Sequence, residues 1–190
     1  MRDKIIAKLH ELEQSEDVTV LFAVESGSRA WGFASKDSDY DVRFVYKHND
    51  PHEYLKLEER RDVLEWELND VYDISGWDLD KTLKLLRASN PVIFEWIDSP
   101  IVYVDDGFLE RFRTLAKPYF MSVKGANHYL HMAKRNYEMY LKDRDEVKLK
   151  KYFYVLRPIL AVRYILEYRQ APPMLFEGLA RLELDESIKA

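Results

Sequence analysis

The chain reads as an α+β protein, a short mixed sheet flanked by helices with a helical C-terminal region. Three observations predict this. Four strand-like runs with turn chemistry between them precede Asp80. From there the apolar period turns helical and, apart from one extended piece, stays so. Apolar residues make up 47% of the 190, enough to bury a sizeable core.

In order, Ile5, Ile6, Leu9 and Leu12 lie at helical spacing and predict a helix over 2–14. Val18 to Val24 is a run of β-formers, a buried strand leading into a Gly27-Ser28 turn. Asp39 to Tyr46 is a second strand. Asp39, Asp41 and Arg43 share one face of it, and Tyr40, Val42 and Phe44 the other. Arg61 to Glu67 and Asp70 to Gly76 are two more, with Asn69-Asp70 supplying the turn. Leu83, Leu86 and Arg87 mark a helix that breaks at Asn90-Pro91, and proline suits the first turn of the next, Val92 to Ile97. An extended piece, Ile101 to Val104, precedes helices near 107–116, 122–142 and 147–169. Pro158 is expected to kink or restart the last of these, and Pro172-Pro173 comes before a final short helix. The expected division is 1–105, a catalytic core, and 106–190, a helical region closing its cleft.

There is no cysteine, which excludes disulfides and cysteine-rich zinc sites. No apolar run approaches a bilayer span and the start lacks a signal-peptide core, so no membrane partner is expected and the cytoplasm is the expected compartment. The net charge of −5 is uneven. Residues 1–100 carry 13 Lys and Arg against 22 Asp and Glu, and residues 101–190 carry 16 against 12. An acidic half joined to a basic half suits a metal-centred enzyme with a polyanionic substrate, and equally a set of solvated basic helices.

The chemistry concentrates in Gly27-Ser28 and, ten residues on, Asp39-Tyr40-Asp41-Val42. Two carboxylates one residue apart on a strand project to the same side and repel unless a cation lies between them. Hard oxygen ligands suit Mg²⁺, which completes its shell with water and substrate phosphate. A glycine-serine turn lets backbone amides approach a phosphate. Together these describe a metal-dependent nucleotide site. Arg29 either contacts a triphosphate or pairs with Asp37 or Glu25. Arg43 is either a phosphate ligand or the counter-ion that keeps the aspartates ionised.

Gly-Ser followed by Asp-x-Asp resembles the signature of the polymerase-β-like nucleotidyltransferases. The words Glu25-Ser26-Gly27-Ser28-Arg29-Ala30-Trp31-Gly32 and Asp73-Ile74-Ser75-Gly76-Trp77-Asp78-Leu79 are similar to a bacterial and phage family of predicted nucleotidyltransferases with an RNA-repair-associated branch. Ser89-Asn90-Pro91, Glu95-Trp96, Ser99-Pro100-Ile101-Val102-Tyr103 and Lys150-Lys151-Tyr152-Phe153-Tyr154-Val155-Leu156-Arg157-Pro158 extend the likeness over most of the chain. The resemblance implies a polymerase-β-type core and transfer of a nucleoside monophosphate from an NTP to a hydroxyl, with release of pyrophosphate. An RNA 3′ end is the favoured acceptor. A protein hydroxyl, as in AMP transfer to a partner, is the second. A catalytically silent nucleotide- or RNA-binding module is the alternative of another class.

It also implies that Asp39, Asp41 and Asp73 hold two Mg²⁺ ions, Mn²⁺ being an acceptable substitute. Asp73 is the match for the third catalytic aspartate, while Asp70 and Asp78 read better as turn or cap residues. Gly27, Ser28 and adjacent amides would hold the β- and γ-phosphates. Lys150, Tyr154 and Arg157 fall within about 60° on one helix, opposite Tyr152, Leu156, Ile159 and Leu166. They form either a solvated face or, with a base stacked on the tyrosine, one wall of the nucleotide pocket. Trp31, Trp66, Trp77 and Trp96 read as core anchors, with Trp31, three residues after Ser28, the one that is also a candidate platform for a base. His128 and His131 have no further metal-ligand partner. Relatives of this kind often continue further, which leaves room for an acceptor-binding portion beyond Ala190.

Overall fold

The structure is a computed structural model, and it describes residues 1–35 and 37–182. Five strands form one sheet in the order β3-β4-β2-β1-β5: β1 Val18–Glu25, β2 Tyr40–His48, β3 Val63–Leu68, β4 Tyr72–Asp78 and β5 Val102–Asp105. The sheet is mixed, as expected. β2 and β4 run parallel, and every other neighbouring pair is antiparallel. Asn69 makes the β3–β4 turn, its side-chain Oδ1 accepting the amides of Val71 and Tyr72.

Both faces of the sheet are covered, which explains why the strands are more apolar than simple alternation requires. Helix α1, Arg2–Glu16, lays Ile5, Leu9 and Leu12 against Val20, Val42, Phe44 and Ile74. A register shift between Val20 and Phe22 breaks the period of β1. Val18 and Val20 therefore face α1, while Phe22 and Val24 face the other side. There, after the short helix α2, Gly27–Ala30, pack α3 Leu79–Arg87, α4 Pro91–Ile97 and α5 Phe108–Ala116. Asp78 caps α3 through the Asp80 amide, and Asn90 caps α4 through the Val92 amide with Pro91 in its first turn. Although α5 lies beyond residue 105, its Leu109, Phe112 and Ala116 belong to the same core as Phe22.

A separate core joins α6 Ser122–Tyr140, α7 Leu149–Tyr168 and α8 Phe176–Ala180 through Tyr129, Leu160, Ala161, Ile165 and Leu179. Pro158 does not restart α7, which runs on from Leu149 to Tyr168. Proline leaves the carbonyl four residues earlier without its helical donor. The Asn136 side-chain amide of α6 donates to that carbonyl, Tyr154 O, at 2.8 Å. The helix wheel also turns out rotated. Tyr152, Ile159 and Leu166 are exposed, whereas Arg157 is buried. The chain after α7 folds back over the sheet's end, where the Phe176 amide donates to Trp31 O at 2.9 Å.

Candidate active site

The end of β1 and the starts of β2 and β4 meet at one corner of the sheet. Parallel pairing sets Asp41 opposite Asp73 and Arg43 opposite Ser75, so the two acids are neighbours across strands about 4.8 Å apart. Asp39 lies two residues upstream, exposed at the mouth of the same corner. On this side of the sheet only the later residues of the strands, Val45 and Trp77, are packed under helices, which leaves the aspartates open.

Gly27 is required here. Its φ is +57°, and a Cβ built on it would lie 1.9 Å from Asp41 Oδ2. No side chain fits between that backbone and the carboxylate. Burial, then repulsion from Asp39, pushes the Asp41 carboxyl up to about 6. Arg43, and more weakly Lys150, pull it back.

Arg43 stands as the counter-ion. Its Nη1 and Nη2 fork onto Asp73 Oδ1 and Oδ2 at 2.9 and 2.6 Å, Nη1 also donates to Asp73 O at 2.8 Å, and Nη2 lies 3.6 Å from Asp41 Oδ1. Both oxygens of Asp73 are engaged this way. Among the described residues no three His, Asp or Glu side chains are gathered into a ready-made metal-binding group, His128 and His131 included. The donor chemistry nonetheless fits a hard divalent cation. Asp41 and Asp73 stand opposite each other with Asp39 two residues upstream, Asp41 is raised chiefly by burial and then by Asp39, and Arg43 already supplies the positive charge the acids require.

Among the described residues Arg29 pairs with neither Asp37 nor Glu25. It clamps the loop before β2, donating from Nε to Asp39 O at 2.9 Å and from Nη2 to Ser38 O, with its guanidinium 3.9 Å from the Tyr40 ring centroid. Ser28 is 4% exposed, and its hydroxyl donates to Ser38 Oγ at 3.2 Å. Ser38 also receives the Ser35 amide at 3.0 Å and Lys150 Nζ at 2.7 Å. Lys150 thereby ties the start of α7 to the loop before β2. The Tyr154 hydroxyl, one turn on, is raised above the usual phenol range chiefly by burial and also by the charges of Asp41 and Asp39. Trp31 meets Tyr154 edge-on at 5.9 Å and Phe33 at 5.6 Å, within a cluster of rings rather than as a free platform.

Arg157 does not share the Lys150 face. It is 1% exposed and donates to Glu95 Oε1 at 2.9 Å and to Met174 O at 3.3 Å, with its guanidinium 4.5 Å from the Trp31 ring centroid. Glu95 also accepts the Tyr129 hydroxyl at 2.8 Å. The expected cationic surface is therefore Lys150 and Tyr154, with Arg157 beneath the ring cluster.

Ser38 and Glu25 are site residues that the sequence reading missed. Glu25 is fully buried. Its Oε1 accepts the Asp41 amide at 3.0 Å, its Oε2 accepts the Tyr103 hydroxyl, and its carbonyl accepts Ser99 Oγ at 2.6 Å. Burial raises it to about 6, against the pull of those hydrogen bonds. Its position in the word before Gly27-Ser28 was the available signal. Ser38, a lone serine in a polar loop, offered none.

The mixed sheet flanked by helices and the helical C-terminal region are consistent with a polymerase-β-like fold. The family model for the RNA repair pathway DNA polymerase beta family, RlaP, matches residues 1–190, and the chain belongs to that family. It is also 49% identical over 180 residues, 94% of its own length and 68% of the relative's, to an uncharacterized protein, YcgL, of Bacillus subtilis (strain 168). Among the described residues no helix is long and apolar enough to cross a membrane.

Proposed function

We propose that the chain is a metal-dependent nucleotidyltransferase acting at Asp39, Asp41 and Asp73, with an RNA 3′ end as acceptor. The observation that carries this is the register of Asp41 against Asp73, two like charges brought together on neighbouring strands and held by Arg43. Such crowding raises the energy of the corner without benefit to the fold, which is typical of a functional site. The family's RNA-repair description and the basic second half of the chain favour RNA over a protein hydroxyl.

Two divalent ions, Mg²⁺ or Mn²⁺, would supply charge stabilisation to the entering and leaving oxygens. Asp39 and Asp41 would hold the ion bound to the NTP phosphates, and Asp73, released by Arg43, would share the second. The acceptor oxygen displaces pyrophosphate at the α-phosphorus, and its proton passes to the Asp73 carboxylate. The amides around Gly27 and Ser28, together with Lys150 on leaving Ser38, meet the β- and γ-phosphates. Tyr154 offers its ring to the base. Arg43, once free of Asp73, is a second phosphate ligand. Arg29 and Arg157 act at one remove, holding the loop before β2 and the ring cluster. The division at 105/106 separates the residues that do the chemistry from those that cover the nucleotide.

The test is incubation with each α-labelled NTP and Mg²⁺ or Mn²⁺, offering RNA and total cell protein as acceptors. Label on RNA supports the proposal. Label on a protein band replaces the acceptor. No label with either metal removes the activity and leaves a binding module. Asp73→Asn sharpens the result, since it is expected to bind NTP while losing transfer.

A further inference from the structure

A cavity of about 650 Å³ lies between α4, α5 and the end of α7, within the roughly 300–1,000 Å³ typical of small-ligand sites. It is separate from the aspartates. Lys150 and Tyr164 lie on one helix, which puts about 21 Å between the catalytic end of α7 and the cavity.

Its walls combine two kinds of group. Phe120 and Tyr164 supply aromatic surface, Phe120 backed edge to face at 5.1 Å by the buried Phe94 and Tyr164 flanked by Tyr168 at 4.7 Å. Arg113, Lys117 and Arg169 supply positive charge. Arg113 is positioned by donation to the Ile97 carbonyl. Lys117 and Arg169 have no carboxylate partner among the described residues within salt-bridge distance. Asp98 is the one acid on the wall, and one of its oxygens already accepts the Met174 amide at 2.7 Å. Arg169 holds φ +58° just past the end of α7, a place where glycine or asparagine is the cheaper residue.

We infer that this cavity is a second binding site, for a nucleoside phosphate whose base stacks on the rings and whose phosphate meets Lys117 and Arg169. Stacking on aromatic side chains beside cations is how single-stranded nucleic acid and free nucleotides are held without sequence readout. The ligand is a free nucleotide or one unit of an RNA strand, because both present the same two groups. The inference does not depend on transfer at the aspartates.

The experiment uses 2-aminopurine riboside 5′-monophosphate and a single-stranded RNA hexamer containing 2-aminopurine. Both are titrated in EDTA, so that metal-dependent binding at the aspartates is silent. The expected result is saturable quenching of at least one probe. Lys117→Ala with Arg169→Gly should weaken it at least ten-fold, Tyr164→Ala should reduce the quenching, and Lys150→Ala should leave it unchanged. Glycine at 169 suits the backbone there, so the double variant keeps its fold. Equal affinity for both probes identifies a free nucleotide as the ligand, and binding of the hexamer alone identifies a strand unit. No quenching with either probe, or quenching that the double variant leaves intact, overturns the inference.

Discussion

The Arg43–Asp73 and Arg157–Glu95 pairs differ in their surroundings rather than in their chemistry. The Asp73 side chain is 29% exposed and Arg43 18%, and a third charge, Asp41, stands beside them. Arg157 and Glu95 side chains are 1% and 9% exposed, closed over by Trp31, Met174 and Tyr129. A pair with water and a surplus carboxylate at its edge can exchange partners, because each group has somewhere to go. A pair sealed from water cannot, because a separated charge would stand bare in a low-dielectric interior. The same guanidinium–carboxylate pairing thus forms a fixed pin at one place and, at the other, would serve as a replaceable stopper.

The sharpest way to break this contrast is Arg157→Ala. It strands the Glu95 charge in the interior and should lower unfolding stability by about 3–5 kcal/mol, read from denaturant melts. A loss under 1 kcal/mol would show that water reaches the pin.

Asp41→Asn should act with the opposite sign. The wild-type carboxyl, raised from 3.8 to about 6, is charged at neutral pH at a cost to the folded state, and a shift of this size corresponds to about 3 kcal/mol. The metal-free variant should therefore melt higher while losing transfer. The stability that the Asp41 proton contributes is complete below pH 3.8 and is lost as pH rises through about 6. The variant's advantage over wild type should accordingly be absent near pH 3.8 and full above pH 6. An advantage that does not vary with pH would refute the assignment.

Lys150→Ala should cost about 1–3 kcal/mol of Mg²⁺–NTP binding, the range for charge-assisted hydrogen bonds, measured by titration calorimetry. If the melting temperature falls instead and binding holds, the contact with Ser38 is structural. Asn136→Leu is the mildest. It leaves Tyr154 O without a donor and should cost about 1 kcal/mol of stability, with no loss of the ion pair below it.

What the sequence revealed followed distance along the chain. Asp39 and Asp41 are two residues apart on a strand whose alternation is local, and Asn90-Pro91 caps its helix with neighbours only. Asp73 became legible through the word it opens, since nothing local states that β4 pairs parallel with β2 in that register. Arg157 was placed on the wrong surface because a helical wheel assumes that the apolar side is the buried one. Its partner, Glu95, lies 62 residues away, and a buried ion pair inverts the assumption. The restart expected at Pro158 is absent for a similar reason, as the amide that replaces its missing donor comes from another helix. Ser38 and Glu25 escaped notice because their roles lie in what they touch. The bulge in β1 has no marker residue at all.

The fold-back after α7 joins the cavity to the segment after β1 through the Phe176 amide hydrogen, bonded to Trp31 O, and the Phe176 ring, edge-on to Phe33 at 5.9 Å. That hydrogen can trade with deuterium only when residues 169–176 lift away from Trp31. Its exchange rate is thus a built-in clock for separation of the two surfaces. A nucleotide bound at the aspartates and a ligand bound in the cavity would each slow the same clock if the strap moves as one piece. Two independent rates, one answering to each ligand, would mean that the strap flexes between its ends.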